Sequence, residues 1–296
     1  MKKLLISLLL LSSSVFANQS NEITVTIGYG PGGTNTIIRT FVADASNAGN
    51  LKFIVEERPG ANGSIALKNY FSNPPTNKSI LGTSGGQVLF EALVRPENNY
   101  IPRLKVIGPV LTSPLAIAVK SDSKFKSASE LFDKKIPKQR INIAVGGESH
   151  EMLVNQISKY SHHDIQAIRY KGGGDQFTAL MGGHVDMVAD AYGSLNQRTT
   201  QVRILGVTQP NGAGNIPSLS KYAPIPVMHN YFGMTVNRET LDLQELTRDI
   251  TVGFIRADRV DFYKAQGYNI DMNINNDYID REVLPAYNKW RKLLNK

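Results

Sequence analysis

The chain has 296 residues, 33 Lys and Arg against 25 Asp and Glu, a formal net charge of +8 and no cysteine. Without cysteine there is no disulfide, no thiolate metal site and no thiol for a lipid anchor. The basic residues are scattered, with no dense run and no aromatic interleaving, so nucleic acid is not an expected partner.

Met1-Lys2-Lys3 is a short basic start, followed by an apolar run over 4–11 that only Ser7 interrupts. Small and polar residues follow to Ala17. This pattern predicts a secretory signal peptide over 1–17, cleaved near Ala17, and a periplasmic protein. The run is too short for a membrane span, which needs about 20 apolar residues. Removing it leaves roughly 280 residues, more than one typical core, which predicts two lobes.

The alternation of Ile23, Val25 and Ile27 with Thr24 and Thr26 predicts a strand. Gly28 to Gly33 then holds four glycines and a proline, and Thr34, Asn35 and Thr36 are residue types that start helices. Ile37, Ile38, Phe41 and Val42 follow at helical spacing. Helix-start amides above a glycine turn form an anion site. Three readings fit the turn. Gly28, Gly30 and Gly33 spell the G-x-G-x-x-G dinucleotide fingerprint, with Glu56 and Glu57 placed where a ribose-binding acid would sit. Pro31-Gly32-Gly33 also suits the anion-binding turn of a solute-binding protein. A tight turn with no ligand is the third.

The strand, glycine turn, helix unit then recurs. Residues 79–81 form a short strand, Gly82-Thr83-Ser84-Gly85-Gly86 the turn, and 87–94 a helix. This turn matches G-x-S-x-G, the nucleophile elbow of a serine hydrolase. That reading needs a late histidine, and His229 lies in an apolar, aromatic stretch. Two strands, 106–110 and 115–119, are punctuated by Pro109 and Pro114, and a crossing between lobes is expected near Lys120. Ser127 to Glu130 reads as a capped helix start, and His162-His163 as a solvated turn. The unit appears again at 141–145 with Gly146-Gly147-Glu148-Ser149-His150, and at 165–170 with Gly172-Gly173-Gly174. A strand over 185–189 ends at Asp190, and the chain returns to the first lobe at Tyr231-Phe232-Gly233. His150 reads equally as a helix cap or a ligand contact.

Five segments in order carry a resemblance: Gly30-Pro31-Gly32-Gly33, residues 55–61, residues 81–85, residues 146–150, and the stretch from Tyr170 through Gly182-Gly183-His184-Val185-Asp186 to Asp190. The chain resembles the receptors of tripartite tricarboxylate transporters, the Bug family, over residues 23 to about 220. The family's Ala-Pro segment has no counterpart after Phe232. Thr36 stands where the family usually has Asp, and Arg39 is one place early.

The resemblance implies an α/β, two-lobed periplasmic binding protein of type II-like form, each lobe a mixed sheet flanked by helices. It places lobe 1 at 18–120 with 230–296 and lobe 2 at 121–229. It implies capture of a small organic acid by interlobe closure and delivery to a membrane permease, with no enzymatic step, no cofactor, no metal and a monomeric receptor. Carried over, Tyr29, Gly32, Gly33, Thr34, Asn35 and Thr36 form one arm around the ligand carboxylate. Gly147, Glu148, Ser149 and His150 form the other. Thr83 and Ser84 add hydroxyl donors, Tyr170 joins the site, and Asp190 reaches the ligand's distal end. Glu148 is an acid in a loop expected to hold a carboxylate, so either it points away or the ligand carries an amine or hydroxyl for it to meet. The alternatives are an NAD-dependent enzyme using Gly28, Gly30 and Gly33, and a hydrolase using Ser84.

Overall fold

The computed structural model describes residues 22–49, 51–273 and 277–294. The expected signal peptide lies outside them. In chain order the elements are β1 (Glu22–Ile27), α1 (Gly33–Ala48), β2 (Lys52–Glu57), α2 (Ser64–Phe71), β3 (Ser79–Ser84), α3 (Glu91–Val94) and β4 (Leu104–Lys120). Then come β5 (Arg140–Val145), α4 (Glu148–Tyr160), β6 (Asp164–Arg169), α5 (Gly173–Met181), β7 (Met187–Ala191), α6 (Tyr192–Asn196) and β8 (Val202–Val207). The chain ends with β9 (His229–Asn237), α7 (Gln244–Arg256), α8 (Arg259–Ala265), β10 (Asn269–Asp271) and α9 (Leu284–Leu294).

The protein has two lobes, each a mixed sheet covered by helices. The first sheet runs β2-β1-β3-β9-β4, with β10 also on β4. β1 lies parallel to β2 and β3, while β9 is antiparallel to its neighbours. The second sheet runs β6-β5-β7-β4, with β8 also on β4. β5 is parallel to β6 and β7, and β4 is antiparallel to β7 and β8.

β4 belongs to both sheets. It pairs with β9 as far as Pro114 and with β7 from Leu115 onward. The two expected strands are therefore one strand of 17 residues. The prolines do not break it because each sits where the ladder is already interrupted. Pro109 follows Gly108, whose φ of 78° favours glycine, inside a register shift between Ile107 and Leu111. Pro114 marks the change of partner. The change of sheet thus comes at 114–115, earlier than the expected Lys120. The return strand meets it there: the Leu115 N–H donates to the Met228 carbonyl at 2.9 Å.

α1 buries Ile37, Ile38, Phe41, Val42 and Ala45, the spacing of one helical face. Phe41 meets Phe254 of α7 edge-to-face at 5.2 Å. Arg259 grips buried Asp44 with two hydrogen bonds of 2.7 and 3.0 Å. An apolar cluster joins the lobes, from Phe90 and Trp290 through Leu115 and Ile117 to Ile143 and Ile157. The helix expected over 87–94 opens as a π turn over Gly86–Phe90 before α3.

His162 and His163 are not a solvated turn. Their Nε2 atoms bond the carbonyls of Ile136 at 2.8 Å and Glu130 at 2.9 Å, and His163 is buried.

α1 and α7 cross so closely that a Cβ at Gly253 would stand 2.4 Å from the Asp44 carbonyl oxygen, a backbone atom that cannot swing aside. Gly253→Ala is expected to destabilise the fold by about 1–3 kcal/mol. Urea unfolding should show a lower midpoint at unchanged slope.

Candidate functional site

Three helices begin at one place between the lobes. α1 starts after Gly32, α4 after Gly147 and α5 after Gly172, and no side chain caps any of the three. Uncapped first-turn amides carry the positive end of the helix dipole. Glycine at each start leaves the backbone itself as the surface. The first-lobe turn approaches the second-lobe turn directly: a Cβ on Gly32 would lie 3.2 Å from the Gly173 amide nitrogen and 3.3 Å from that of Gly174.

The cavity at this point has a volume of about 40 Å³. That is room for about three waters. Tyr29, Gly30, Gly32, Gly33, Thr34, Ser84, Gly86 and Asn230 line it from one side. Phe232 lies on that same side, and Gly146, Gly147, Ser149, His150, Gly172, Gly173, Asp190 and Ser194 line it from the other. Tyr29, Gly146 and Gly147 also line a larger chamber of about 880 Å³, together with Arg169, Tyr170, Lys171 and His184. Gly32, Gly33, Gly173, Asp190 and Ser194 also line a third, of about 320 Å³.

Of the residues expected from the sequence, Tyr29, Gly32, Gly33, Thr34, Ser84, Gly147, Ser149, His150 and Asp190 are brought together here. Five are placed elsewhere. Asn35 lies beneath the first turn, where its Nδ2 donates to the Tyr29 carbonyl at 3.0 Å. Arg39 donates to Asn35 Oδ1 at 2.8 Å and to Glu57 at 2.5 Å, so a strut of polar groups sets the Tyr29 backbone. Thr36 faces the third chamber. Thr83 is fully buried, its hydroxyl donating to the Gly233 carbonyl at 3.3 Å. Tyr170 lines the larger chamber only.

Glu148 is the clearest departure. Its carboxylate turns away from the cavity and takes two hydrogen bonds from Arg169, at 2.9 and 2.8 Å. Burial alone would raise its pKa, but Arg169 and Arg95 outweigh burial and hold it below the usual carboxylate value. Of the two readings of Glu148, this pairing matches the one in which it points away.

Ser194, Asn230, Gly86 and the Gly172-Gly173 start were missed as site residues. Asn230 had a readable signal: it is a lone amide in an apolar, aromatic run. Its Oδ1 accepts from the Gly86 N–H at 2.9 Å, tying the return strand to the Ser84 turn. Ser194 carried no such signal, because the fold of α6 alone brings it opposite Gly33.

His150 supplies the cavity's most exacting polar group. It is 7 % exposed, and its Nδ1 accepts from the Gly146 N–H at 3.2 Å. That bond puts the neutral ring's proton on Nε2. Nε2 has no hydrogen-bond partner among the described residues, and Asp190 Oδ1 stands 3.6 Å away. Burial lowers the pKa of His150, with the Asp190 charge opposing, so the ring is a neutral donor. Burial raises the pKa of Asp190 against the opposing effects of His150, the Ala191 N–H and Arg198.

The enzyme readings find no support. The Ser84 hydroxyl lies 2.8 Å from the Tyr29 hydroxyl, whose pKa burial pushes well up, so its neighbour is no base. A Cβ on Gly28 would meet Gly63 Cα at 2.8 Å, so this glycine serves close packing. Glu56 pairs with Arg58 at 3.0 Å and Glu57 with Arg39, which makes them surface ion pairs. The antiparallel β9 also sits inside the first sheet, unlike a dinucleotide fold.

Residues 37–293 match the family described as "Tripartite tricarboxylate transporter family receptor". The chain belongs to this family. It is similar to a UPF0065 protein of Bordetella bronchiseptica, 26 % identical over 237 residues, covering 75 % of this chain and 71 % of that one. Its fold is similar to that of Rpa4515 of R. palustris, solved with adipate, at a TM-score of 0.78 and 18 % identity, covering 93 % of this chain and 96 % of that one. It is also similar to MatC of Rhodopseudomonas palustris, solved with bound malate, at a TM-score of 0.77 and 17 % identity, covering 92 % and 98 %. No described helix is long and apolar enough to cross a membrane.

Gly32 has φ 155°, a region that favours glycine, and its Cβ would point at second-lobe backbone. Gly32→Ala is expected to wedge the lobes apart. Small-angle scattering should show a larger radius of gyration, while the first-lobe core, and hence the far-ultraviolet circular dichroism, stays unchanged.

Proposed function

We propose that this protein is a periplasmic receptor that captures a small organic acid by closing its lobes and hands it to a membrane transporter, with no covalent chemistry. The observation that carries the reading is the meeting of three uncapped helix starts with the unpartnered Nε2–H of His150. Each donates toward negative charge, and they come from both lobes. A carboxylate between them completes the hydrogen bonding of both halves at once, which favours the closed form. Tyr29, Ser84, Ser149 and Ser194 add hydroxyls that adapt to either oxygen. The rest of the acid extends past Tyr29 and Gly147 into the larger chamber. Adipate and malate in the two relatives of like fold support the carboxylate class, and the family supports the transporter as partner. The basic, apolar and small-residue pattern of residues 1–17 supports export.

Thermal unfolding of residues 18–296 with malate, adipate, other small carboxylates and NAD tests the reading. A ligand at 100 times its Kd adds about 2.7 kcal/mol. Each kcal/mol moves the midpoint by roughly 2–4 °C in domains of 150–250 residues. A rise with an acid and none with NAD is expected. A rise with NAD alone would sink the proposal.

Asp190 is the acid that does face the cavity, and its raised pKa gives a pH signature. An ordinary carboxylic ligand is ionised above about pH 5. From there upward, loss of the Asp190 proton sets a second negative charge beside the bound anion. Affinity should therefore fall as pH rises through the raised pKa, and Asp190→Asn should flatten the profile. Titration calorimetry across pH reads this directly. A rising profile would instead assign Asp190 to a cationic group on the ligand.

A further inference from the structure

Glu148, turned out of the cavity, belongs to a charged cluster that spans the lobes. It is the first residue of α4 in the second lobe and is 3 % exposed. Glu91 opens α3 in the first lobe and is 0 % exposed. Arg95, one turn beyond Glu91, serves both. Its Nη1 donates to Glu91 Oε2 at 2.7 Å and to Glu148 Oε1 at 3.4 Å. Asn98 holds the other Glu91 oxygen at 2.9 Å. Arg169 holds both Glu148 oxygens and also pairs with Glu151.

We propose that Arg95 is a positioning residue for ligand capture, whose charge allows the Glu148 end of α4 to close against Glu91. One guanidinium nitrogen contacts carboxylates of opposite lobes, both of them buried. Two such acids brought together without a cation repel strongly, because little water is left to screen them. With Arg95 present the junction is reversible. On opening, Glu91 keeps Arg95 and Glu148 keeps Arg169, so neither acid is stranded. The junction also borders the anion cavity. Ser149 follows Glu148, and a Cβ at Gly86 would lie 3.3 Å from Ser149 Oγ and 3.8 Å from the Tyr29 hydroxyl. Closure at Arg95 therefore presses the α4 start onto the Ser84 and Tyr29 wall. Glu91 and Glu148 both act electrostatically on Tyr29 in the cavity wall, so leaving them unneutralised would also disfavour a bound anion.

This inference deepens the capture reading, and the test separates the two. Wild type, Arg95→Ala, Arg95→Lys, Glu148→Gln and the double variant Arg95→Ala with Glu148→Gln are compared by small-angle scattering without ligand. They are then compared by calorimetry with malate or adipate, whichever raises the unfolding midpoint. Arg95→Ala should enlarge the radius of gyration and weaken binding roughly tenfold or more. Arg95→Lys keeps the charge and should track wild type. The double variant removes one of the two facing charges and should return to within roughly twofold of wild type. A merely structural role for Arg95 would give no such rescue. If Arg95→Ala does not fold, Arg95→Gln replaces it. Scattering of Arg95→Ala that matches wild type overturns the proposal, as does a double variant as open as Arg95→Ala. If neither malate nor adipate binds, the acid reading loses its nearest probes, while scattering alone still decides the role of Arg95.

Discussion

The structure depends on one arrangement: backbone amides from three helix starts, drawn from two lobes, directed at a single small cavity. Each start lacks a side-chain cap and carries glycine where a cap would stand. Amides are fixed by the helices behind them and cannot retreat from one another. Their like polarity makes the cavity favourable for an anion. On the function proposed above, this is what couples closure to ligand capture.

What holds the starts in line is β4. As one strand in two sheets it gives the lobes a shared backbone, and the switch at 114–115 puts the joint directly under the cleft. β9 crosses beside it and carries Asn230 and Phe232 into the cavity. The apolar cluster around Leu115 and Met228 packs both lobes against this joint.

Charge is divided in the same spirit. The cavity's own polar groups are neutral donors apart from Asp190, and the nearby acids Glu91 and Glu148 are each held by arginine. The family's characteristic loops supply the donors. The arginines that manage the acids come from a helix end and a strand end outside those loops, at Arg95 and Arg169.

The strand, glycine turn, helix units were legible because alternating Ile and Val, then glycines, then a 3.6-residue apolar period are local signals. So were the family and most of the cavity's residues, since every glycine-rich helix start in the pattern came to the cleft. Sequence could not show that Pro109 and Pro114 lie inside one strand. A proline breaks a ladder only if its position needs an N–H, and the bulge and the change of partner decide that. Nor could it show where Glu148 points: an acid at a helix start is free to face a ligand or an arginine, and Arg169 and Arg95 lie 21 and 53 residues away. Asn35 and Thr83 turn to the Tyr29 and Gly233 carbonyls for the same reason, because a polar side chain's partner is chosen by packing. The chain by itself determined the elements, the family and the anion-seeking turns. Tertiary structure alone decided which polar groups face the cleft, because that depends on which distant donors and charges the fold sets beside them.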